Sequence, residues 1–319
     1  MIERARIPSK LLISIAFSVS VFAALAALTD PGEIIQVVTQ ADLSLLGAAL
    51  IVANAPLLIY AFTWQKIFEA VGIEISYFRS LRILLSNTFV NNITPFGNIG
   101  GEAAATYFIT RISDQPPGKI FSAISASSLI NFSPLLTLLA LGLILNVYLD
   151  TVGFLLAVSA FSIVLLYLLK SLGLPRKILN TGRIPGRARD FLEDFRESFS
   201  LIKNSGNRIA LLLSTSHVAS LLDMFAVVLV GAAFGADLFS SLILIAVPLG
   251  RVSNYFPTPG GTGSYELAFT GLLVFFFNVS PATAVSIAIT YRVLTYYTGI
   301  LVGYAAILSL GFSSEVSEF

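Results

Sequence analysis

The sequence predicts an all-α polytopic membrane protein: an inverted repeat of about six full spans plus two broken re-entrant helical hairpins. Three observations carry this expectation. The chain is too apolar for a water-exposed surface, two of its long apolar stretches are interrupted by Gly and Pro, and those two breaks recur at one fixed offset. Of 319 residues, 56% are hydrophobic and only 12% charged, with a mean hydropathy of +0.86. A soluble domain carries about 25% charged residues, so a soluble enzyme, a disordered chain and a nucleic-acid-binding domain are excluded. A net charge of +1 leaves no basic field to attract nucleic acid. The absence of cysteine removes disulfide frameworks, zinc–thiolate sites and thiol catalysis.

A bilayer core takes about 20 mostly apolar residues per helix. Clean spans run at roughly 11–28, 43–63, 119–146, 151–170, 209–234 and 282–310. The first follows Arg4, Arg6 and Lys10 and ends near Ala24-Leu25-Ala26, a pattern also found in signal peptides. Its apolar run is long for that role and is taken as a span. Two more stretches, about 83–110 and 239–277, are broken. The first break reads Thr94-Pro95-Phe96-Gly97-Asn98-Ile99-Gly100-Gly101-Glu102. The second reads Pro257-Thr258-Pro259-Gly260-Gly261-Thr262-Gly263-Ser264-Tyr265-Glu266. Proline removes a backbone donor and glycine favours turns, so neither stretch continues as one helix.

Positive charge sets orientation. Arg4, Arg6 and Lys10 precede the first span, Lys66, Arg79 and Arg82 follow the second, and Arg111 and Lys119 follow the first break. Lys170, Arg176, Lys177, Arg183, Arg187, Arg189, Arg196, Lys203 and Arg208 fill or flank the loop before 209. Together these are 17 of the 19 bases. The loop near 29–42 holds Asp30, Glu33 and Asp42 but no base, and the link after 146 holds only Asp150. If 83–110 crossed once, Arg111, Lys119 and the most basic loop would fall outside. If it turns back at Pro95–Gly101, all 17 fall inside with the N-terminus. A re-entrant hairpin in a multi-pass cell-membrane protein with cytoplasmic basic loops is therefore expected. The acidic, base-free C-terminus, with Glu315 and Glu318, runs against its own expected cytoplasmic side.

At an offset of 164, Pro95 falls on Pro259, Gly97 on Gly261, Glu102 on Glu266 and Ala104 on Ala268. The same offset lays 43–63 on 207–227 and 119–146 on 283–310. The expected organisation is one transmembrane domain over 1–319, with repeat one at about 11–146 and repeat two at about 151–310. Three clean spans lie between the breaks, and an odd number inverts the second copy. Inverted repeats with broken helices meeting near the midplane are a transporter architecture, and irregular backbone at that depth must be buried in protein or line a wet cavity. In the second repeat, 187–202 reads as an amphipathic cytoplasmic helix. Ala188, Phe191, Leu192, Phe195, Phe199 and Ile202 share one face, and the bases nearby suit anionic lipid headgroups.

The candidate site residues are the charges and amides at these breaks. Glu102 and Glu266 begin the returning halves of the hairpins. Two roles are open to them: capping the first helical turn, or facing a central cavity, since intramembrane ionisable groups are costly and often functional. Arg251 and Arg292 are the only bases inside expected membrane segments. Each needs a partner, either Glu266 or Glu102 or a bound phosphate, which a guanidinium grips bidentately. Asp223 joins the polar centre or bonds a neighbouring helix. Asn92 and Asn254 satisfy freed backbone groups or line the site. The expected turn residues are Pro95, Gly97, Gly100, Gly101, Pro257, Pro259, Gly260, Gly261 and Gly263. The lone His217 reads as packing, and no metal or cofactor constellation is present in the sequence. Gly-Gly-Thr-Gly lacks the Gly-Lys-Ser/Thr ending of a phosphate loop.

Asn91-Asn92-Ile93-Thr94-Pro95 with Gly100-Gly101-Glu102, followed later by Pro257 to Glu266, resembles the flippase-like family of the lysylphosphatidylglycerol synthase transmembrane region. Arg292, in Tyr291-Arg292-Val293-Leu294-Thr295-Tyr296, matches the arginine of that family's last long span. The likeness covers nearly the whole chain. It implies a lipid-translocating fold with paired re-entrant hairpins, and it carries Glu102, Glu266 and Arg292 over as candidate site residues. Two departures shape the expectation. The chain ends at Phe319 without the aminoacyl-transferase domain of the synthases, so no synthase activity and no enzyme is expected. Family members often carry a charged pair after the first hairpin, whereas Ser125-Ala126-Ser127-Ser128-Leu129-Ile130-Asn131 is uncharged, so a different substrate is expected. The expected function is a lipid or amphiphile flippase whose partners are membrane lipids with anionic or polyprenyl-linked headgroups, and not nucleic acid. The alternatives are a small-solute or ion-coupled secondary transporter, or a non-catalytic membrane partner of a separate lipid-modifying enzyme.

Overall fold

The computed structural model describes residues 20, 30–94, 99–146, 186–203, 206–255 and 258–311. The expected span at 151–170, that at 11–28 apart from Ser20, the turn residues Pro95, Gly97 and Pro257, and the C-terminal acids lie outside them. The described chain is helical, with no strand among these residues.

Helix α1 (Pro31–Thr39) leads to α2 (Leu43–Ala70). The Asp42 carboxylate caps α2, accepting from the Ser44 amide at 2.8 Å and the Leu45 amide at 3.3 Å. There follow α3 (Tyr77–Ile93), α4 (Ile99–Ser113) and α5 (Pro117–Asn146). Then come α6 (Gly186–Lys203), α7 (Gly206–Ala233), α8 (Ile243–Val252) and α9 (Ser264–Phe277). The last long unit is α10 (Pro281–Arg292), a π-helical turn over Val293–Tyr297, and α11 (Thr298–Leu310). Among the described residues, α2, α5, α7 and the unit Pro281–Leu310 are long and apolar enough to cross a membrane.

Both interrupted stretches fold back on themselves. Near the first tip, the Gly101 amide donates to Asn91 Oδ1 at 2.7 Å. A Cβ on Gly101 would stand 2.5 Å from the Asn87 carbonyl, so only glycine lets α4 lie this close to α3. At the other end, Ile112, Ser113 and Gln115 share a surface pocket with Gly72–Ile75 and Arg79, so the end of α4 returns to the start of α3. In the second stretch, Ser264 Oγ donates to the Ser253 carbonyl at 2.8 Å, and Gly250 lies under the Phe269 ring. The turn between is made by Gly260, Gly261 and Gly263, with φ of +56°, +70° and +88°, a left-handed backbone that disfavours a side chain.

Elements recur in order and size. Helices α2 and α7 each have 28 residues, while α5 and the α10–α11 unit each have 30. Helices α2 and α7 pack antiparallel: Asp42 N–H donates to the Ala233 carbonyl at 2.9 Å, while Thr63 and Thr215 hydroxyls meet at 3.4 Å near the opposite ends. Contacts are also reciprocal. Helix α3 packs on α11, and α8 packs on α5. A glycine permits each close approach. A Cβ on Gly303 would lie 2.7 Å from Phe89 Cβ, and one on Gly142 would lie 2.8 Å from Ile245.

Two features refine the expectation. The amphipathic helix, seen as α6, turns Phe191 and Phe195 onto Phe121 of α5, with ring centroids 5.9 and 6.2 Å apart. Its apolar face thus covers protein, because Gly118 leaves room for the α6 backbone. The last span, expected as one helix, carries a π-helical turn directly after Arg292.

Candidate functional site

A cavity of about 230 Å³ opens between the two hairpins and the long helices. Helix α2 contributes Asn54 and Tyr60, and α3 contributes Thr88 and Asn92. The second hairpin contributes Arg251, Asn254 and Tyr265. Asp223 comes from α7, and Tyr291, Arg292, Thr295 and Tyr296 come from the last span. The α3 helix touches the Pro259–Gly261 turn, so the hairpins meet beside this cavity.

Two ion pairs define its electrostatics. Arg292 Nε donates to Glu266 Oε1 at 2.8 Å, and Arg292 Nη2 donates to the Gly260 carbonyl at 2.7 Å. The guanidinium also stacks over Tyr296 at 4.4 Å and Tyr265 at 5.0 Å. Glu266 is fully buried, and its Oε2 accepts from the Gly263 amide at 2.6 Å. One carboxylate thus both caps α9 and neutralises an arginine, uniting the two roles open to it from sequence. In the second pair, Arg251 donates to Asp223 Oδ2, and Tyr291 O–H donates to Asp223 Oδ1. Both Asp223 oxygens are engaged.

The π-helical turn shapes the wall. Its widened backbone leaves the Leu294 carbonyl to accept from Asn54 Nδ2 at 3.0 Å. Tyr296 O–H donates to the Asn92 carbonyl at 2.9 Å, tying the last span to the first hairpin. Arg251, Arg292, Asp223, Asn92 and Asn254 all line the cavity. Glu266 lies behind Arg292. Glu102 is not on the wall; it accepts from Ser128 Oγ of α5 at 2.6 Å. Arg251 takes Asp223 rather than either hairpin glutamate, because α7 brings Asp223 beside it. Of the turn residues described, Gly100 and Gly101 pack on Thr94 and Asn91, while Gly260 and Gly261 pack on Tyr296 and Asn254. His217 bonds Thr137 at 2.7 Å, away from the cavity.

Sequence reasoning missed Tyr60, Tyr265, Tyr291, Tyr296 and Asn54 as wall residues. The usable signal was a phenol adjoining two of the flagged charges: Tyr265 precedes Glu266, and Tyr291 precedes Arg292. A phenol far from the span ends needs a polar partner inside the protein.

Residues 11–303 match the lysylphosphatidylglycerol synthase TM region. A UPF0104 membrane protein of Methanothermobacter thermautotrophicus is 24% identical over 332 residues, covering 96% of each chain, so that likeness runs end to end. A UPF0104 membrane protein of Pyrococcus horikoshii is 21% identical and covers 86% of this chain and 89% of its own. A third, from Methanocaldococcus jannaschii, is 23% identical and covers 77% and 78%. The hairpin breaks and Arg292 fall within the matched residues, and the chain is a helical membrane protein belonging to the lysylphosphatidylglycerol synthase TM region family.

Proposed function

We propose that this protein translocates a lipid or amphiphile, passing its headgroup through the cavity between the hairpins while the tails stay in the bilayer. One observation carries the reading: a chain with 12% charged residues gathers Arg251, Arg292 and Asp223 around one interior cavity. Charge at such depth is costly and marks pathways. An inverted repeat with a hairpin entering from each face is supported by the equal element lengths, the antiparallel α2–α7 pair and the reciprocal α3–α11 and α8–α5 packing. Rocking of one hairpin against the other then supplies alternating access.

The wall chemistry favours an anionic, phosphate-bearing headgroup, as in a phospholipid or a polyprenyl phosphate. Glu266 is buried behind Arg292, both Asp223 oxygens are engaged, and the Tyr265 and Tyr296 rings already hold a guanidinium. An incoming ammonium therefore meets no free carboxylate or open ring at these groups, whereas two guanidinium groups face the cavity. With each water taking about 30 Å³, the volume accommodates roughly eight waters, the size of a phosphate and a small polar group.

The test is lipid movement in liposomes carrying the purified protein and fluorescent anionic lipid. Wild type moves the lipid between leaflets, and Arg292→Ala and Glu266→Gln do not. A folded wild type that moves no headgroup overturns the reading. The same small cavity also suits a polar solute. Solute uptake without lipid movement selects that alternative, and co-purification tests a separate lipid-modifying enzyme as partner.

A further inference from the structure

A glutamate stands at the same place in both hairpins, and its partner from the following span differs. Glu102 and Glu266 stand in the first turns of α4 and α9. Each accepts on Oε1 from a residue 26 positions later: Ser128 Oγ at 2.6 Å and Arg292 Nε at 2.8 Å. Ser128 and Arg292 are themselves related by the offset of 164. The second repeat therefore neutralises its acid with a cation, and the first offers a hydroxyl.

The difference is chemical. A guanidinium only donates, so the bond from Arg292 needs a lone pair on Glu266. A hydroxyl donates or accepts, so Ser128 bonds Glu102 whether that group is ionised or protonated. Glu102 is half-buried, and α4 packs against α3 and α5. The titratable and charged groups on these three helices are Tyr107 and Arg111 on α4, Tyr77, Arg79 and Arg82 on α3, and Lys119 on α5. Arg111 bonds Tyr107, Lys119 bonds Gln115, and Arg79 and Arg82 are exposed near the start of α3. Arg111 and Lys119 each lie nine residues from Glu102 or Ser128, about 13 Å along a helix at 1.5 Å per residue. Among the described residues no cation compensates the ionised Glu102, and a proton removes that cost.

We propose that Glu102 is a proton-binding site and that its loading and release are coupled to substrate movement; the coupling rests on the translocation reading above. A connection to the cavity is built in. The Gly101 amide, one residue before Glu102, holds Asn91, and the next residue, Asn92, lines the cavity and bonds Tyr296. Co-movement of one proton with one anionic headgroup is electroneutral.

The test uses the full chain in liposomes of phosphatidylglycerol and phosphatidylethanolamine. In infrared titration without a gradient, wild type shows the carbonyl band of a buried carboxylic acid growing as pH falls. Glu102→Gln, which mimics the protonated acid, and Ser128→Arg, which installs the second repeat's cation, both lose it. With the membrane potential short-circuited, a gradient of one pH unit drives fluorescent phosphatidylglycerol to an unequal leaflet distribution of up to about tenfold in wild type, and neither variant responds. No titrating band in wild type overturns the proton site. A titrating band with lipid movement indifferent to the gradient overturns the coupling. A titrating band with no lipid movement under any condition leaves the proton site standing and overturns the translocation reading instead.

Discussion

Replacing the buried Glu266–Arg292 pair one partner at a time, and then both together, gives the sharpest expected contrast in stability. The Glu266 side chain is 0% exposed and that of Arg292 is 7% exposed. Glu266→Leu strands a guanidinium that keeps the Gly260 carbonyl and two tyrosine rings as partners. Arg292→Met strands a carboxylate that keeps the Gly263 amide. Removing one member of a buried pair costs about 3–5 kcal/mol. The double variant strands neither charge. It leaves the Gly260 carbonyl and the Gly263 amide short of partners, at about 1–3 kcal/mol each. At the middle of these ranges the double loss is about 4 kcal/mol against about 8 for the summed single losses, a gap well above the ~0.5 kcal/mol expected of independent sites. Trp64, the only tryptophan, reports on unfolding in mixed micelles under denaturant. It is buried and edge-on to Phe68 at 5.9 Å. Additive losses would refute the claim that Glu266 and Arg292 stabilise each other.

The other expectations probe turn, topology and cap. Gly261→Ala places a Cβ 2.5 Å from Asn254 Cα on a backbone with φ of +70°, so it should lower stability by at least about 1–3 kcal/mol. Gly271→Ala, in an open helical position, should hold or raise stability by up to about 1 kcal/mol; equal thermal midpoints would argue against a left-handed turn at Gly261. Because the chain lacks cysteine, single cysteines are clean topology probes. Arg111→Cys should react only with cytoplasmic reagent, and Asp237→Cys and Asn278→Cys only with external reagent; external labelling of Arg111→Cys would remove the first re-entrant hairpin. The Ser44 hydroxyl, with the Leu45 and Ser44 amides, holds the exposed Asp42 carboxyl below the ordinary aspartate range. Its contribution is present above the unfolded value of about 3.9 and fades as pH falls through the lower folded value. Asp42→Asn should flatten that part of the acid-stability curve, and an unchanged curve would count against the cap.

Much of the architecture is legible in sequence because its causes are local. Apolar run length marks α2, α5, α7 and the Pro281–Leu310 unit, and Gly and Pro mark both hairpin tips. The offset of 164 predicts equivalent helices, and α2 and α7 match in length and run antiparallel. The ends of the helices are less legible. Helix α2 extends past 63 to Ala70, where Lys66 and Glu69 pair at 2.8 Å and soften the expected boundary. The π-helical turn at Val293–Tyr297 has no Gly or Pro to announce it.

What the sequence alone determined is that charge interrupts apolar stretches and must be compensated there: Arg251, Arg292, Asp223, Glu102 and Glu266 stand out against their apolar neighbours. Which groups compensate which was decided only by tertiary structure. Arg292 meets Glu266 across 26 residues, Arg251 meets Asp223 across 28, and Tyr291 reaches Asp223 across 68. The desolvation cost of a buried ion demands a partner but carries no address. The address is a distance between helices, set by glycine contacts such as Gly303 on Phe89 and Gly142 on Ile245. The same packing put Asp223 on the cavity wall and left Glu102 beside a serine.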